Sequence, residues 1–285
     1  MIHSKRFLVC VFYILCSLSE AYSQNLMNYE NSLRYANFLF QSKQYNLAIT
    51  EYQRVSFLKP EDTVAKLRLV QSYRLLNDYS EANNRIESLF PETKINFPGD
   101  FAHEYFSNLY HQQEFTEANY FLTKNSTINE SKKNEYEIGI LLKQYKWAEA
   151  KLLADNYLLN NSKPPKLDQL YPIAIQGMKI HYKKPVCAAL FSAVIPGSGK
   201  LYTKDWKDAI FAFLFVSATT MISYQSIANK RLPINSVIYS SVALSFYAAN
   251  IYGSYKSAKR YNKKINQITT QKIDTILFES KETEP

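Results

Sequence analysis

The sequence predicts an all-α protein in which a series of helical repeats is followed by a transmembrane helical hairpin. Three observations support this prediction. An aromatic-x-x-Ala motif recurs four times between residues 29 and 157, the 285-residue chain contains only six glycines, and two long uncharged runs lie in its last third. The hydrophobic content of 46% is enough for a packed core, so the composition is not that of a disordered chain.

Residues 1–23 are predicted to be a signal peptide. Lys5 and Arg6 precede an apolar run at residues 7–18, and Ala21-Tyr22-Ser23 has the small-x-small pattern of a cleavage site. The alternative is an uncleaved N-terminal anchor, which the run disfavours because it is shorter than the ~20 residues of a membrane span. Cleavage would leave Cys187 as the single cysteine, so the mature chain would form no internal disulfide.

The aromatic-x-x-Ala motif predicts pairs of helices. Its instances begin at Tyr45, Tyr79, Phe115 and Trp147, and they place the alanines 34, 36 and 32 residues apart. Apolar residues at three- and four-residue spacing flank each instance, which is the pattern of amphipathic helices. A small alanine would let two helices approach closely at their crossing, and the aromatic residue would close the turn side of that contact.

The first unit, with Ala36, Tyr45, Ala48, Tyr52 and Pro60, resembles the tetratricopeptide repeat family, and the resemblance extends over about residues 29–157. It implies a superhelix over residues 24–182, closed by a capping helix that begins near residue 167. The family's tryptophan is replaced by a serine, and bulky residues occupy its small position in three units. The resemblance also implies a groove that binds a protein or peptide partner, lined by Asn37, Phe40, Gln71, Arg74, Ser107, Tyr110, His111 and Glu135.

The distribution of charge predicts a membrane domain in the last third. Residues 24–182 contain 18 Lys and Arg and 18 Asp and Glu, whereas residues 183–285 contain 14 and 6. The basic clusters alternate with uncharged runs at 209–229 and 232–255, each long enough to cross a bilayer. We therefore predict a membrane hairpin domain at residues 183–264, followed by a polar tail at 265–285. Two buried helices in a soluble core are the alternative, but too little sequence remains to cover them.

A shorter uncharged segment, residues 185–199, precedes these two runs. As a helix it would reach roughly 22 Å, less than the ~30 Å of the hydrocarbon core, so it is expected to lie in the interface, to re-enter, or to cross a thinned bilayer. The motif at its end comprises Pro196, Gly197, Gly199 and Tyr202. It resembles the turn of a two-transmembrane-helix domain family that occurs in envelope proteins of Bacteroidota-type bacteria. The positive-inside tendency favours three crossings and the segment length favours two, so both remain open.

No catalytic set, cofactor site or metal site is predicted. Gly197-Ser198-Gly199-Lys200 lacks the phosphate-loop spacing, since Val194 and Leu201 occupy required positions. The basic charge flanks apolar runs, which argues against nucleic acid. We predict a non-enzymatic interaction scaffold in the bacterial inner membrane, with periplasmic repeats. The alternative is a small transport or lipid-handling subunit that uses the repeats as a docking arm, although the two long runs contain no ionisable Asp, Glu, Lys, Arg or His to mark a pathway.

Overall fold

The computed structural model describes residues 27–92, 95–160, 163–229 and 233–278, so the predicted signal peptide lies outside the described residues. The predicted all-α class is confirmed, because every regular element in these ranges is a helix. The helices are α1 (Tyr29–Gln41), α2 (Tyr45–Leu58), α3 (Thr63–Leu75), α4 (Tyr79–Leu89), α5 (Gly99–Gln112), α6 (Phe115–Lys124), α7 (Glu130–Lys143), α8 (Trp147–Leu159), α9 (Leu167–Met178), α10 (Pro185–Val194), α11 (Ser198–Tyr202), α12 (Trp206–Ala228) and α13 (Pro233–Phe278).

The chain divides into two compact units. Unit 1 extends to Ile128 and contains α1–α6, and unit 2 begins at Asn129 and contains α7–α13. This division differs from the sequence-based boundary after residue 182. The physical reason lies in unit 2, where α7 and α9 pack against the end of α13 and so belong to the same body as the predicted membrane domain.

Each aromatic-x-x-Ala motif begins a helix after the same tight turn. The residue two positions before the aromatic has a positive φ of 59 to 65°, and the alanine is fully buried. The amide of the intervening residue donates to a carbonyl five residues earlier, as from Gln44 to Leu39 at 2.9 Å and from Glu114 to Leu109 at 3.0 Å. Such left-handed caps satisfy the last carbonyls of the preceding helix. The left-handed residues are Lys43, Asn77, Gln113 and Tyr145.

The same turn occurs a fifth time in the predicted membrane domain. Lys204 has a φ of 63°, the amide of Asp205 donates to the carbonyl of Lys200 at 2.9 Å, and Trp206 begins α12. Ala209 stands at the alanine position and is 7% exposed. One local device therefore joins helices both in unit 1 and in the predicted membrane domain.

The segment predicted to be a polar tail continues α13 as far as Phe278 and packs on α7. Leu277 lies so close to Gly139 that a Cβ on the glycine would come within 2.4 Å of the leucine side chain. Lys143 forms an ion pair with Asp274 at 2.7 Å, and the Lys166 ammonium donates to the carbonyl of Ile276. A short apolar stripe ending in Ile276 and Leu277, hidden within a polar composition, explains why the sequence pattern did not reveal this contact.

Candidate functional site

Within unit 2, the predicted membrane domain is built on α13. The helix α10 lies antiparallel to it, since the amide of Lys183 donates to Asn262 at 2.9 Å while the Tyr247 hydroxyl donates to the carbonyl of Ala193 at 2.6 Å. The helix α11 then returns, and the Tyr202 hydroxyl accepts a hydrogen bond from the amide of Lys184 at 3.3 Å. The segment at 185–199 therefore folds back to the end at which it began and does not run the length of the hairpin.

The turn between α10 and α11 is the predicted Pro-Gly-x-Gly motif, and it requires both glycines. Gly197 has a φ of 83°, and a Cβ there would lie 2.2 Å from the carbonyl oxygen of Ala209. A Cβ on Gly199 would lie 1.8 Å from the carbonyl oxygen of Ala188. Since carbon and oxygen cannot approach so closely, any side chain at either position would force the backbone apart.

Asn250 of α13 holds this turn from the opposite side. Its side-chain carbonyl accepts a hydrogen bond from the amide of Gly197 at 3.0 Å, and its amide group donates to the carbonyl of Ser192 at 3.0 Å. The hydroxyl of Ser192 in turn accepts from the amide of Gly199 at 2.9 Å and meets the hydroxyl of Ser254 at 2.7 Å. Asn250 and Ser254 were not among the predicted site residues, because more than 50 residues separate them from the turn that they bind.

Further polar pairs continue this interface along α13. Hydroxyl pairs join α12 to α13 near the distal end of the hairpin and join the α11–α12 turn to α13 at the other end. The pairs are Ser226 with Ser236 at 3.0 Å, Ser223 with Ser240 at 2.8 Å and Thr203 with Ser257 at 2.6 Å. On α13, Ser236 and Ser240 are four residues apart, as are Asn250 and Ser254, and Ser257 follows Ser254 by three, so these polar residues lie on one side of the helix.

The outward faces of the same helices are apolar. On α12 the exposed side chains include Phe211, Leu214 and Phe215, and on α13 they include Val237 and Leu244. Among the described residues, only α12 is long and apolar enough to qualify as a membrane span by length and composition. The second predicted span, residues 232–255, overlaps α13. This helix is not apolar enough to qualify as a membrane span by the measure that α12 meets. Serines and asparagines lower its hydropathy, and several of them face α12 and α10.

Three of the predicted groove residues, Asn37, Gln71 and Arg74, are accessible on unit 1. Together with Glu104 we call them the polar row. Asn37 is exposed and accepts a hydrogen bond from the Tyr52 hydroxyl at 2.8 Å, and burial raises the pKa of Tyr52 to about 12. Gln71 and Arg74 both donate to the Glu104 carboxylate, at 3.0 and 2.6 Å. These half-buried side chains bind one another, so a partner would meet a pre-organised surface.

The other predicted groove residues are less accessible than expected. Phe40 packs edge to face against Tyr52 in the core, and His111 stacks on the ring of Tyr79. Ser107 and Tyr110 are buried because α5 packs on most of its circumference, and Glu135 is buried in an ion pair with Lys132. The repeat pattern places polar side chains of the first helix of each pair at the solvent. This does not hold for a helix that other helices cover on several sides.

A basic cleft lies where the α11–α12 turn meets α13. It has a volume of about 430 Å³ and includes Lys204, Arg260 and Lys264 in its lining. Lys183 and Lys184 also contact Tyr202 at this end. Three basic clusters of the last third, at residues 183–184, 200–207 and 256–264, therefore gather at one end of the hairpin.

The described residues contain no group of three or more His, Cys, Asp or Glu side chains that could hold a metal ion. Comparison of the chain with protein-family models, with curated proteins and with solved structures gives no match.

Proposed function

We propose that the protein is a membrane-anchored, non-enzymatic interaction scaffold whose helical repeats present a binding surface to a partner protein or peptide. The observation that carries the proposal is the inverted polarity of the α10–α13 domain, which has hydroxyls and an asparagine inside and large apolar side chains outside. Such an exterior is stable in lipid, where interhelical hydrogen bonds hold helices together and apolar surface needs no cover.

The exposure of the apolar helix α12 supports this proposal. Only 22% of its most apolar stretch is buried by the described residues, which is unlike a core helix. We propose that residues 233–255 of α13 form the second span, because the 23 residues would extend roughly 34 Å as a helix, enough to cross the hydrocarbon core. The segment α10–α11, which precedes both spans and packs on α13, is then a re-entrant hairpin.

Alkaline carbonate extraction of the full-length chain tests the anchor. We expect the mature protein, beginning near Gln24, to stay with the membrane pellet, because an integral hairpin resists a wash that removes peripheral proteins. Recovery of the intact mature chain in the carbonate supernatant would contradict the proposal.

The proposed location is the bacterial inner membrane with the repeats in the periplasm. Single cysteines at Lys263 and at Asn229, introduced into a Cys187→Ser background, report on the two ends of the hairpin. An impermeant maleimide added to the periplasmic side is expected to label the Lys263 position and to label Asn229 only after permeabilisation. The reverse pattern would place the repeats in the cytoplasm.

Binding by the polar row of unit 1 is the second part of the proposal. A photo-crosslinking side chain at Asn37 is expected to yield a discrete adduct with one partner, because Asn37 is the most exposed of the accessible groove residues. The control is the same side chain at Asn84, an exposed position on α4. Equal adducts at both positions, or none at Asn37, would remove the polar row as the binding surface.

A lipid-handling role is a second candidate, favoured by one observation. A cleft of about 690 Å³ between α12 and α13 is lined by Val216, Met221, Leu244 and Tyr247 among others, and its surface is mostly apolar. If this cleft carries lipid, the purified protein will transfer a fluorescent phospholipid between vesicles, and Val216→Trp will abolish the transfer by filling the cleft. A scaffold is expected to show no transfer with either chain.

A further inference from the structure

The basic cleft at the end of the hairpin has the chemistry of a phosphate site. Three cationic side chains, Lys204, Arg260 and Lys264, line it. Thr203 and Ser257 also line it, but their hydroxyls bind each other at 2.6 Å, so the cations supply the donors. Ammonium and guanidinium groups in one concavity match the charge and the acceptor oxygens of a phosphate group.

The single carboxylate of the cleft does not cancel this charge. Asp205 lies 3.7 Å from the Arg260 guanidinium and accepts a hydrogen bond from Ser257 at 3.5 Å, both of which are long contacts. Lys204 and Lys264 form no ion pair with any described residue and are exposed. Two cationic groups therefore remain available to an anion, and the Arg260 guanidinium keeps donors to spare beyond its contact with Asp205.

The position of the cleft identifies the source of the phosphate. Trp206 begins α12 directly beside it and is 58% exposed, and the apolar surface of α13 ends one to two turns away at Tyr252. Exposed tryptophan and tyrosine next to an apolar band mark the level of lipid headgroups. If the hairpin crosses a membrane, a cleft at that level lies among the phosphates of the lipid headgroups.

The concentration of basic residues at this end of the domain also favours a lipid phosphate. If the repeats are periplasmic, this basic end lies on the exported side, contrary to the positive-inside tendency. Attraction of basic side chains to anionic lipid offers a physical reason for cations at that surface.

We propose that the cleft binds the phosphate of an anionic phospholipid headgroup and thereby gathers acidic lipid around the hairpin. This inference rests on the proposed membrane anchor. Free inorganic phosphate shares the same chemistry, so the experiment has to separate the two sources.

The test measures retention of phosphatidylglycerol and phosphatidylcholine by the full-length protein in detergent micelles, using native mass spectrometry. We compare the unaltered chain with the triple variant Lys204→Gln, Arg260→Gln and Lys264→Gln. The matched control is Lys256→Gln, Lys259→Gln and Lys263→Gln, which removes the same charge from α13 at positions outside the cleft. In the control, Lys256 and Lys259 lie over the rings of Tyr252 and Tyr255 at 4.8 and 4.7 Å.

We expect the unaltered chain to retain phosphatidylglycerol in preference to phosphatidylcholine. Retention of phosphatidylglycerol should fall about tenfold or more in the cleft variant and stay within about twofold of the unaltered chain in the control. Equal losses in both variants would show diffuse attraction and overturn the proposal. Displacement of the lipid by inorganic phosphate at millimolar concentration would assign the site to free phosphate and overturn the lipid assignment. If the triple variant misfolds by circular dichroism, the single variant Lys264→Gln and its control Lys263→Gln carry the same comparison, with an expected difference of a few fold.

Failure of this inference can be distinguished from failure of the anchor. A chain that resists carbonate but shows no lipid preference overturns the headgroup site alone. A chain that carbonate removes overturns the proposed anchor, whatever it retains in micelles.

Discussion

Unit 1 and the hairpin domain of α10–α13 are built with opposite polarity although both are all-helical. Unit 1 has a core of Leu39, Tyr52, Val55 and similar side chains under a charged surface. The hairpin domain has buried serines and Asn250 within an apolar surface. The hydrophobic effect accounts for the first arrangement in water. In the membrane location that we propose, the cost of unpaired polar groups in hydrocarbon would account for the second. The two parts therefore differ in which side chains they bury, although their helix content is similar.

The largest expected effect is at the glycine turn, which only the hairpin domain contains. Gly199→Ala is expected to destabilise that domain by at least about 3 kcal/mol, because the new methyl group overlaps a backbone carbonyl that has nowhere to move. Thermal unfolding in detergent, followed by Trp206 fluorescence in a Trp147→Phe background, measures the loss.

The matched control for this change is Gly253→Ala in α13. A Cβ at Gly253 would lie 3.5 Å from the Lys200 side chain, an ordinary contact, so the change is expected to be neutral or to stabilise by up to about 1 kcal/mol. Similar losses from both substitutions would mean that close packing at the turn is not what distinguishes this domain.

The next largest effect is expected at the buried alanine that follows the same turn in both regions. Ala48→Leu in unit 1 and Ala209→Leu in the hairpin domain both place a bulky side chain at a helix crossing after the same turn. Each is expected to cost about 1–3 kcal/mol through overpacking. Denaturant unfolding followed by circular dichroism measures the first, and thermal unfolding in detergent measures the second. A loss at Ala48 without a loss at Ala209 would show that the shared turn does not imply shared packing.

A smaller effect tests the polar interior directly. Asn250→Leu removes hydrogen bonds to Gly197 and Ser192 and is expected to cost about 0.5–2 kcal/mol, the range that interhelical hydrogen bonds span in membranes. Ser241→Ala on the exposed face, whose hydroxyl bonds to its own helix at 2.9 Å, serves as the control and is expected to be neutral. An Asn250→Leu protein as stable as the unaltered one in micelles would refute the inverted polarity.

The smallest effect concerns the contact by which α13 joins α7 within unit 2. A double-mutant cycle on Lys143 and Asp274 is expected to give a coupling of about 1 kcal/mol or less, because the aspartate is partly exposed. The cycle is measured by thermal unfolding at low and at high salt, and the coupling should shrink with salt. A coupling that salt does not change would indicate that packing around Gly139 and Leu277, and not the charge pair, sets the contact.

Local signals in the sequence predicted several features correctly. The aromatic residues at 45, 79, 115 and 147 are the first residues of helices, and the Pro-Gly-x-Gly motif is a tight turn ahead of α12. Both depend on short-range sterics, which a sequence displays directly. The accessibility of Ser107, Tyr110 and Glu135 could not be obtained in this way, because it depends on which other helices cover α5 and α7.

The sequence by itself determined that the chain is helical, where the second helix of each repeated pair begins, and that its positive charge lies in the last third among apolar runs. Propensity, capping and composition are local properties, so they can be read from neighbouring residues. Only the tertiary structure decided that α10 and α11 double back, that Asn250 closes the glycine turn, and that residues 265–278 pack on α7. These depend on contacts across about 10 to 140 residues of chain, where shape complementarity and the pairing of buried polar groups select one arrangement among many that local preferences allow.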